Sequence, residues 1–508
     1  MNIYPSVIEN VANHAAANPD KLALADSKKA FSYGEVWTRI YGLSKKFEEM
    51  GLGYEKCVVV ECNQSVDYLI CALAVQLAGG IFVPLEKNVA VARAVEIATD
   101  TEAVIYVSKT PLEAKLPEGL NPAFMNIDDC SAFPWDGEIS EVTFPKSDDI
   151  CEILFSTGTT GKSKGIVLTH GNDIAIAENV MYGVKMKKDN VEMIPMPTSH
   201  SHGLRRTYSN LVNGSSVVFV DGVTLLKKVF NMIEEYNVTS IDLSPSMLSI
   251  IFKLSKDRLG DYADQMDYIQ LGSAPLPEED KVHLSRILPK TRLYNFYGST
   301  EAGCSCLLDF NAMAGKKGCI GKPAVNAHFI VVDENRNEIQ SSPDNLGFLA
   351  SSGAINMREY FKAPELTKEA MADGFIYTKD LGYIDEEGLV YMLGRKDDVI
   401  NYGGIKISPE ELEAIIVKNP IIKDCAIIPV KDTLTGQAPK LLITLEDGVV
   451  ISKTGEVEGP VYDEKAFKVF LQENLDANKQ PKYVEVIDEI PRTFNGKIKR
   501  KVLVEREQ

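Results

Sequence analysis

The sequence predicts an α/β protein. Its large N-terminal domain contains two doubly wound βα subdomains and a smaller β-rich unit, and a small, mobile α+β domain follows at the C-terminal end. Three observations predict this class. Apolar strand-like runs alternate with helical patterns in two regions of the chain. Strand-like runs and turns dominate the residues after those regions, and the pattern changes again after Gly394. A length of 508 residues also allows more than one hydrophobic core.

The first βα region covers about residues 20–110. Strand-like runs and helical patterns alternate there at 22–25, 33–50, 56–62, 65–78, 81–85, 89–99 and 103–108. This alternation favours a largely parallel sheet with helices on both faces. The apolar stretch 68–85 approaches the length of a membrane-spanning helix, but Gln76, Gly79 and Gly80 interrupt it. We therefore predict a buried helix followed by a buried strand, and no membrane span.

The second βα region covers about residues 165–300 and contains the strand-like runs GIVLTH, SSVVFVD, SIDLSP and DYIQLG. Strands and turns then predict the smaller β-rich unit over residues 318–395. The polar stretch GRKDDVINYGG, which begins at Gly394, is typical of a linker or an exposed loop. Helical and strand-like patterns follow it to the end of the chain. We therefore assign residues 1–396 to the N-terminal domain and residues 397–508 to the C-terminal domain.

Composition and charge narrow the class of protein. Hydrophobic residues make up 45% of the chain and charged residues 25%, as in an ordinary globular protein. The net charge of -18 argues against a nucleic-acid partner, because a phosphate backbone requires a basic face. The nine cysteines form no CxxC pair and mostly lie in apolar runs, which predicts reduced, buried thiols in a cytoplasmic protein. The first residues lack the basic and apolar regions of a signal peptide.

The stretch STGTTGKSKG, residues 156–165, has the composition of a phosphate-binding loop. Glycines let the backbone approach phosphate oxygens, successive N–H groups hold an anion, and lysines add positive charge. The P-loop pattern of NTPases nevertheless fails at two points. Ser156 stands where that pattern requires glycine, and the β-branched run GIVLTH predicts a strand where a P-loop begins a helix. The segment is therefore either a phosphate loop of another kind or a phosphate-free hairpin.

Three further segments carry groups suited to nucleotide chemistry. In NFYGSTEAG, Tyr297 could stack on a base, Thr300 could bond a phosphate and Glu301 could hold Mg²⁺. In YTKDLGYIDEEG, Asp380 lies between strand-like pieces and could accept both ribose hydroxyls. In PRTFNGKIKRK, Lys497 lies on a glycine turn of a basic loop. The two carboxylates and the lysine also have simpler interpretations, as a carboxylate at a helix start, a turn residue and a solvated basic tail.

Together and in this order, the segments resemble the adenylate-forming superfamily of AMP-dependent synthetases and ligases. That superfamily includes acyl-CoA synthetases, adenylation domains of peptide synthetases and luciferases. The resemblance covers essentially the whole chain and rests on STGTTGKSKG, PTSHSHGL, LGSAPLP, NFYGSTEAG, YTKDLG, GRKDDVI and PRTFNGKIKR. It implies that ATP activates a carboxylic acid to an acyl-adenylate with release of pyrophosphate. The acyl group then passes to a thiol, for which coenzyme A is the expected acceptor.

The resemblance also implies the residues that bind the nucleotide and the thiol. Those that hold the β- and γ-phosphates are Thr157, Gly158, Thr159, Thr160, Gly161 and Lys164. Those that surround the adenine are Ser273, Ala274, Pro275, Asn295 and Tyr297, and Gly298 belongs to the same nucleotide site. Those that bind the ribose are Asp380 and Arg395. Those that approach the pantetheine thiol of coenzyme A are Gly403 and Gly404.

Five positions carry the chemistry and the conformational change that the resemblance implies. Thr300 contacts the α-phosphate and Glu301 binds Mg²⁺. Lys497 bridges the carboxylate and the α-phosphate during adenylation, and His200 closes the tunnel that the thiol enters. Asp397 is the hinge about which the C-terminal domain turns between the two half-reactions.

The implied reactants are ATP with Mg²⁺, a small-molecule carboxylic acid and coenzyme A, and two alternatives stay open. A carrier-protein phosphopantetheine could replace coenzyme A, which would make the chain a stand-alone adenylation enzyme. A P-loop kinase or ATPase is the alternative of a different class, and Ser156 disfavours it. The segment PTSHSHGL, residues 197–204, resembles the acyl-site segment of the family. The pair Arg205 and Arg206 follows it and could bind a second anion on the acid. The favoured interpretation is that this pair holds an acidic neighbour or the start of a helix.

Overall fold

The computed structural model describes residues 2–112, 116–139, 142–156, 164–274, 276–313, 315–396, 398–402, 405–433, 435–451, 460–476, 479–493 and 496–507. Contacts divide the chain into two compact units. The first unit comprises Met1–Ile330, Ala350–Thr378 and Glu386–Val390. The second unit comprises Val331–Leu349, Lys379–Asp385 and Tyr391–Gln508.

Helices and strands alternate along most of the chain. From the N-terminus they are α1 Val7–Ala17, β1 Leu22–Ala25, β2 Ala30–Ser32, α2 Tyr33–Glu49, β3 Cys57–Glu61, α3 Val66–Leu77, β4 Ile81–Leu85, α4 Val91–Asp100, β5 Ile105–Ser108, β6 Ala123–Asn126, β7 Ile150–Ser156, β8 Lys164–Thr169, α5 His170–Gly183, β9 Val191–Ile194, α6 Ser201–Asn213, β10 Ser216–Phe219, α7 Leu226–Glu235, β11 Ser240–Leu243, α8 Pro245–Ser255, β12 Tyr268–Leu271, α9 Glu278–Ile287, β13 Arg292–Ser299 and β14 Gly303–Asp309. Short 3-10 helices cover Ile127–Asp129 and Arg258–Tyr262.

Strands dominate the next part of the chain. The elements are β15 Cys319–Pro323, β16 His328–Val332, β17 Gly347–Ser352, β18 Glu359–Tyr360, α10 Pro364–Ala370, β19 Met371–Ala372, β20 Phe375–Ile384, β21 Val390–Arg395, β22 Ile400–Tyr402, β23 Ile405–Ile407, α11 Pro409–Ile416, β24 Ile422–Asp432, β25 Gly436–Leu445, β26 Val450–Ile451, β27 Val461–Tyr462, α12 Glu464–Asn474, β28 Tyr483–Val486 and α13 Arg500–Arg506. The chain passes between the two units inside β16, β17, β20 and β21.

Seven strands of the first unit form one sheet, in the order β18-β8-β7-β4-β3-β5-β6. The strands from β7 to β6 are parallel to their neighbours, while β8 is antiparallel to β7 and β18 is antiparallel to β8. The βα alternation of the first region therefore forms the parallel sheet that was predicted.

Nine strands of a second, larger sheet belong to the first unit, in the order β15-β14-β13-β12-β11-β9-β10-β1-β2. The strands from β13 to β1 are parallel to their neighbours, and β14, β15 and β2 are antiparallel. The carboxyl ends of the parallel strands share one edge of the sheet, and ligands of open α/β sheets bind outside that edge. Both βα regions are therefore confirmed, and with them the predicted α/β class.

The apolar stretch 68–85 forms a buried helix and a buried strand, as predicted. Every residue of α3 from Val66 to Gln76 is buried, and so are all five residues of β4. Gly79 has φ +76, which a glycine adopts without strain, and the turn there separates the two elements. None of the described helices is both long and apolar enough to cross a membrane.

The second unit has a sheet of its own, in the order β23-β22-β25-β24, with β28 parallel to β25. Ile400 and Ile407 are fully buried in its core together with residues of α11 and α12. The prediction that GRKDDVINYGG is a linker or exposed loop is therefore wrong for its centre. Residues 400–402 form β22, because the alternate apolar side chains Ile400 and Tyr402 pack against that core.

Candidate active site

The described ends of the predicted phosphate loop belong to a hairpin. Strands β7 and β8 are antiparallel, and Ser156 lies opposite Lys164. Thr157, Gly158, Thr159, Thr160 and Gly161 lie outside the described residues. A P-loop leads from a strand directly into a helix, whereas this loop leads into β8 and α5 begins only at His170. The hairpin therefore agrees with the two sequence features that argued against a P-loop, and phosphate binding stays a prediction.

Tyr360 brings two of the predicted site residues together. Tyr360 lies on β18 opposite Ile166 of β8, and Lys164 is two residues before Ile166. The Nζ atom of Lys164 lies 5.3 Å from the centre of the Tyr360 ring. The Tyr360 hydroxyl donates a hydrogen bond of 2.9 Å to Oε1 of Glu301. Burial raises the pKa of Tyr360, and the neighbouring Glu301 carboxylate raises it further. Tyr360 therefore links the base of the glycine hairpin to the predicted magnesium ligand.

Thr300 and Glu301 occupy a turn between β13 and β14. The turn is closed by a hydrogen bond of 3.0 Å from the Ala302 N–H to the Ser299 hydroxyl. A Cβ at Gly298 would lie 2.0 Å from the carbonyl oxygen of Gly303, so only glycine fits there. The alternative in which Glu301 is a carboxylate at a helix start is therefore wrong, because a β-hairpin holds it instead.

The carboxylate of Glu301 fits a magnesium ion. Its one partner among the described residues is Tyr360, which engages Oε1 and leaves Oε2 available to a cation. The side chain is half-buried at a turn, where substrate phosphates can supply further ligands. Magnesium is commonly held by one or two carboxylates together with phosphate oxygens and water.

The predicted adenine residues lie within β13 and just after the adjacent strand β12. Asn295 of β13 lies opposite Leu271, the last residue of β12, and Ser273 follows two residues later. Ser273 has φ +71, an unusual backbone conformation for a residue with a side chain, which marks a tight turn. Ala274 continues this turn, whereas Pro275 lies outside the described residues. The ring of Tyr297 is half-buried and tilted against Phe329, with the ring centres 6.3 Å apart.

Two histidines lie at the start of α6. His200 is the N-cap residue of that helix, and its Nε2 lies 3.6 Å from Oε1 of Glu86. His202, which the sequence interpretation did not select, contacts Ser273 through Nδ1 at 2.7 Å and Asp242 through Nε2 at 2.9 Å. The motif SHSHG contains a signal for it, since the second histidine directly precedes Gly203, a position where an added Cβ would clash with the backbone.

The predicted ribose-binding pair lies within the second unit. Asp380 lies inside β20 and Arg395 ends β21. Nε of Arg395 lies 3.7 Å from Oδ1 of Asp380, and the side chains are 50% and 16% exposed, respectively. The structure thus brings this pair together. The position of Asp380 between strand-like pieces, and its alternative interpretation as a turn residue, are both wrong, because β20 is continuous through it.

Lys497 is exposed and follows a turn in the second unit. Gly496 has φ +80, and Thr493 and Lys497 exchange hydrogen bonds of 2.7 Å and 3.1 Å across the turn. The glycine turn inferred from the sequence is therefore present. Asp397, Gly403 and Gly404 lie outside the described residues.

Arg205 is buried between two carboxylates and does not face a substrate. Its guanidinium pairs with Asp173 of α5 at 2.5 Å and with Glu152 of β7. Burial raises the pKa of Asp173 to about 8, although Arg205 opposes the shift. Cys151, Glu152 and Asp173 offer ligand atoms within 4.8 Å of one another. Arg205 already provides the positive charge that these two carboxylates share.

Arg206 is buried on the other side of the same helix. It pairs with Glu192 of β9, contacts the Tyr268 hydroxyl at 3.1 Å, and donates to Gln270 of β12. Its side chain is 1% exposed. Burial raises the pKa of Glu192, and the adjacent Arg206 opposes this rise. The interpretation of Arg205 and Arg206 as partners of acidic neighbours is therefore confirmed, and their role as a cation for a second substrate anion is wrong.

The cysteines agree with the prediction of reduced, buried thiols. All nine are free, and all except the half-buried Cys304 are buried. Burial raises the pKa of several of these thiols, and it raises the pKa of Cys57 to about 12. They are packing residues in this fold.

Comparisons with known proteins agree with the geometry. A curated relative, 2-succinylbenzoate–CoA ligase of Bacillus cereus, is 25% identical over 497 residues, which cover 96% of each chain. The structure of ATP-bound MatB from Rhodopseudomonas palustris covers 98% of both chains with a TM-score of 0.85 and 24% identity. The structure of O-succinylbenzoate coenzyme A synthetase (MenE) from Bacillus subtilis, in complex with ATP and magnesium ion, covers 98% of this chain and 99% of that one, with a TM-score of 0.83 and 20% identity.

Two family matches cover most of the chain. The AMP-binding enzyme family matches residues 11–361. The AMP-binding enzyme C-terminal domain matches residues 411–497. The first match alone includes the glycine hairpin, the segment PTSHSHGL, the turn at Ser273 and Glu301. The chain therefore belongs to the AMP-binding enzyme family.

Proposed function

We propose that this enzyme activates a carboxylic acid with ATP, releases pyrophosphate, and transfers the acyl group from the acyl-adenylate to coenzyme A. One observation carries the proposal. Tyr360 joins Lys164, at the base of the glycine hairpin, to the carboxylate of Glu301. The cation proposed for phosphate and the anion proposed for the metal therefore share one small region. The names of the curated relative and of MenE, which are coenzyme A ligases, support the choice of acceptor.

The first half-reaction is a substitution at the α-phosphorus of ATP. A carboxylate oxygen attacks, the bond to the bridging oxygen breaks, and pyrophosphate leaves. Both reactants are anions, so charge repulsion forms part of the barrier. We assign Lys497 to the reacting carboxylate and α-phosphate, Thr300 to the α-phosphate, and Lys164 to the leaving pyrophosphate. Positive charges and donors placed in this way stabilise the charge that develops in the transition state.

Magnesium held by Glu301 would neutralise phosphate charge when bound. The residues of this chain orient that carboxylate: the Tyr360 hydroxyl holds Oε1, and the Met357 N–H donates to the Glu301 carbonyl oxygen at 2.7 Å. The β13–β14 hairpin and these two hydrogen bonds therefore fix the direction of the remaining oxygen, Oε2. Loss of a hydrogen bond that orients a metal-ligating group commonly changes metal affinity by about an order of magnitude or more.

The substitution Tyr360→Phe is therefore expected to raise the magnesium concentration for half-maximal activity by about tenfold. The ring contact with Lys164 is kept, so the activity at saturating magnesium should change much less. Magnesium titrations of ATP–pyrophosphate exchange measure both quantities. Tyr182→Phe is the matched control, because Tyr182 is 54% exposed on α5. An unchanged magnesium requirement in Tyr360→Phe would contradict the positioning role.

In the second half-reaction a thiolate attacks the acyl carbon, the bond to the phosphate oxygen breaks, and AMP leaves. A mixed anhydride hydrolyses readily, so the site must exclude water between the two steps. We assign His200 to the closure of the thiol entrance, Gly403 and Gly404 to the approach of the pantetheine, and Asp397 to the hinge. Asp380 and Arg395 are assigned to the ribose, and Ser273, Ala274, Pro275, Asn295, Tyr297 and Gly298 to the adenine.

Acid-dependent ATP–pyrophosphate exchange tests the proposal. The enzyme should exchange pyrophosphate only with a carboxylic acid present, and added coenzyme A should then release AMP in step with acyl-CoA. Omitting the acid is the control. Formation of ADP would contradict an AMP-forming reaction and favour a kinase. Exchange without acyl-CoA formation, together with acylation of a phosphopantetheinyl carrier protein, would favour the stand-alone adenylation enzyme instead.

A further inference from the structure

We propose that the acid this enzyme activates carries an uncharged hydroxyl or oxo group on its chain, which the hydrogen-bonded series Ser273, His202 and Asp242 recognises. The inference rests on the proposed function and names its substrate class. The series contains one residue from each of three elements: the turn after β12, the start of α6 and strand β11. Its residues lie at the carboxyl edge of the parallel strands, and His202 belongs, with His200, to PTSHSHGL, the proposed acyl-site segment.

Both nitrogens of His202 have partners, which holds its ring in one orientation. Nδ1 lies 2.7 Å from the Ser273 hydroxyl, and Nε2 lies 2.9 Å from Oδ1 of Asp242. The ring also lies over Gly272, where an added Cβ would be 3.0 Å from Cε1 of His202. A larger residue than glycine at this turn would displace the imidazole.

Ser273, whose turn is also assigned to the adenine, is the member of the series whose hydroxyl can meet the acid. A hydroxyl has one donor and two acceptor positions, and His202 uses one of them. Ser273 is half-buried and held at φ +71, so its hydroxyl is fixed by the turn. It therefore offers a further hydrogen bond to a neighbouring oxygen group, whichever way the proton lies in the bond to His202.

Further polar groups support the series from behind. Gln270 donates to Oδ1 of Asp242 at 3.3 Å, and Gln270 in turn accepts from Arg206. Asp242 is fully buried, and its Oδ2 has no hydrogen-bond partner among the described residues. A hydrocarbon chain placed against the series would leave the remaining hydrogen-bonding position of Ser273 without a partner, which is unfavourable.

The same charges select against a second carboxylate on the acid. Asp242 carries the acidic group nearest to His202, while Arg205 and Arg206 are already paired with Asp173, Glu152 and Glu192. A second carboxylate on the acid would therefore find both arginines already paired, whereas a hydroxyl or oxo group needs only the neutral hydroxyl of Ser273. Sites that hydrogen-bond a substrate group discriminate strongly against analogues that lack it.

Matched pairs of acids test this preference in ATP–pyrophosphate exchange. Butanoate is compared with its 2-, 3- and 4-hydroxy and 3-oxo derivatives and with succinate, and benzoate with its three hydroxy isomers. At least one oxygenated acid should exceed its hydrocarbon partner in kcat/KM by about tenfold to a hundredfold. Succinate should rank below the best hydroxy or oxo acid. Preference for the hydrocarbon partner in both series, or for succinate, would overturn the inference.

Two variants assign the preference to the series. His202→Phe keeps a ring of similar size, and Asp242→Asn keeps the shape of the carboxylate. Each should lower the ratio of oxygenated to hydrocarbon kcat/KM towards one, which a general loss of stability would not do. His283→Phe is the matched control, because His283 forms a similar contact with Asp257 at 2.7 Å on α9. A wild-type ratio in both variants would overturn the inference.

The outcomes separate this inference from the proposed function. Exchange that occurs with hydrocarbon acids but shows no preference for oxygenated ones would leave acid activation intact and overturn the substrate class alone. Absence of exchange with every acid tested, by protein that thermal unfolding shows to be folded, would overturn both.

Discussion

Lys497→Ala is expected to lower acid-dependent ATP–pyrophosphate exchange by about a hundredfold to a thousandfold, the effect of removing one group that stabilises transition-state charge. Transfer from a supplied acyl-adenylate to coenzyme A should fall by much less, because that step involves no attack on phosphorus. Lys497 is exposed on a glycine turn, so its loss should leave the fold intact. The two half-reactions are measured separately, by pyrophosphate exchange and by acyl-CoA formation from synthetic acyl-adenylate.

Lys501→Ala is the matched control for this change. Lys501 belongs to the same basic segment, is 57% exposed, and has Glu505 at 3.7 Å. Its replacement should leave both half-reactions unchanged. The hinge proposal predicts the reverse pattern for Asp397→Pro, with acyl transfer reduced more than exchange. Equal losses in both half-reactions of Lys497→Ala would rule out the assignment of that lysine.

Arg206→Met is expected to lower the free energy of unfolding of the first unit by about 3–5 kcal/mol, the usual effect of removing one partner of a buried ion pair. Arg206 is 1% exposed and Glu192 is fully buried, so the carboxylate would be left without its cation. Both tryptophans, Trp37 and Trp135, lie in the first unit. Urea denaturation followed by tryptophan fluorescence therefore measures the stability of that unit.

Lys290→Met provides the comparison for an exposed pair. Lys290 and Asp264 are 76% and 89% exposed, and such pairs contribute little to stability because water screens them. Combining Arg206→Met with Glu192→Leu should recover part of the lost stability, since it removes the uncompensated charge as well. A loss no larger than that of Lys290→Met would show that the buried pair does not stabilise the unit.

Much of the fold followed from local patterns. The alternation of apolar runs and helical periods predicted α2, α3, β3 and β4 to within a few residues, because each buries a face that its own residues define. The prediction that GRKDDVINYGG is a linker or exposed loop failed because its composition does not show which residues are buried. Its polar residues dominate the composition, while two apolar side chains in alternation are enough to form β22 when a core is present.

The sequence predicted the motifs of the candidate site but only some of the contacts between its residues. Glycine loops and turns require particular residues wherever they occur, so the hairpin at Ser156 and the turn at Gly496 could be recognised in isolation. Tyr360 could not, because it belongs to a β-strand and contacts Glu301 from 59 positions away. His202 could be suspected from SHSHG, but its partners Asp242 and Ser273 are 40 and 71 positions distant.

The sequence by itself determined the order of the elements, the family and the residue types available for phosphate, metal and nucleotide. Only the tertiary structure decided what each charged group faces. Arg205 and Arg206 are adjacent in sequence, yet one reaches β7 and α5 while the other reaches β9 and β12. The reason is physical: successive residues of a helix point about 100° apart, so neighbours in the chain enter different surroundings. Burial and pairing there determine whether a charge stabilises the fold or remains free for a substrate.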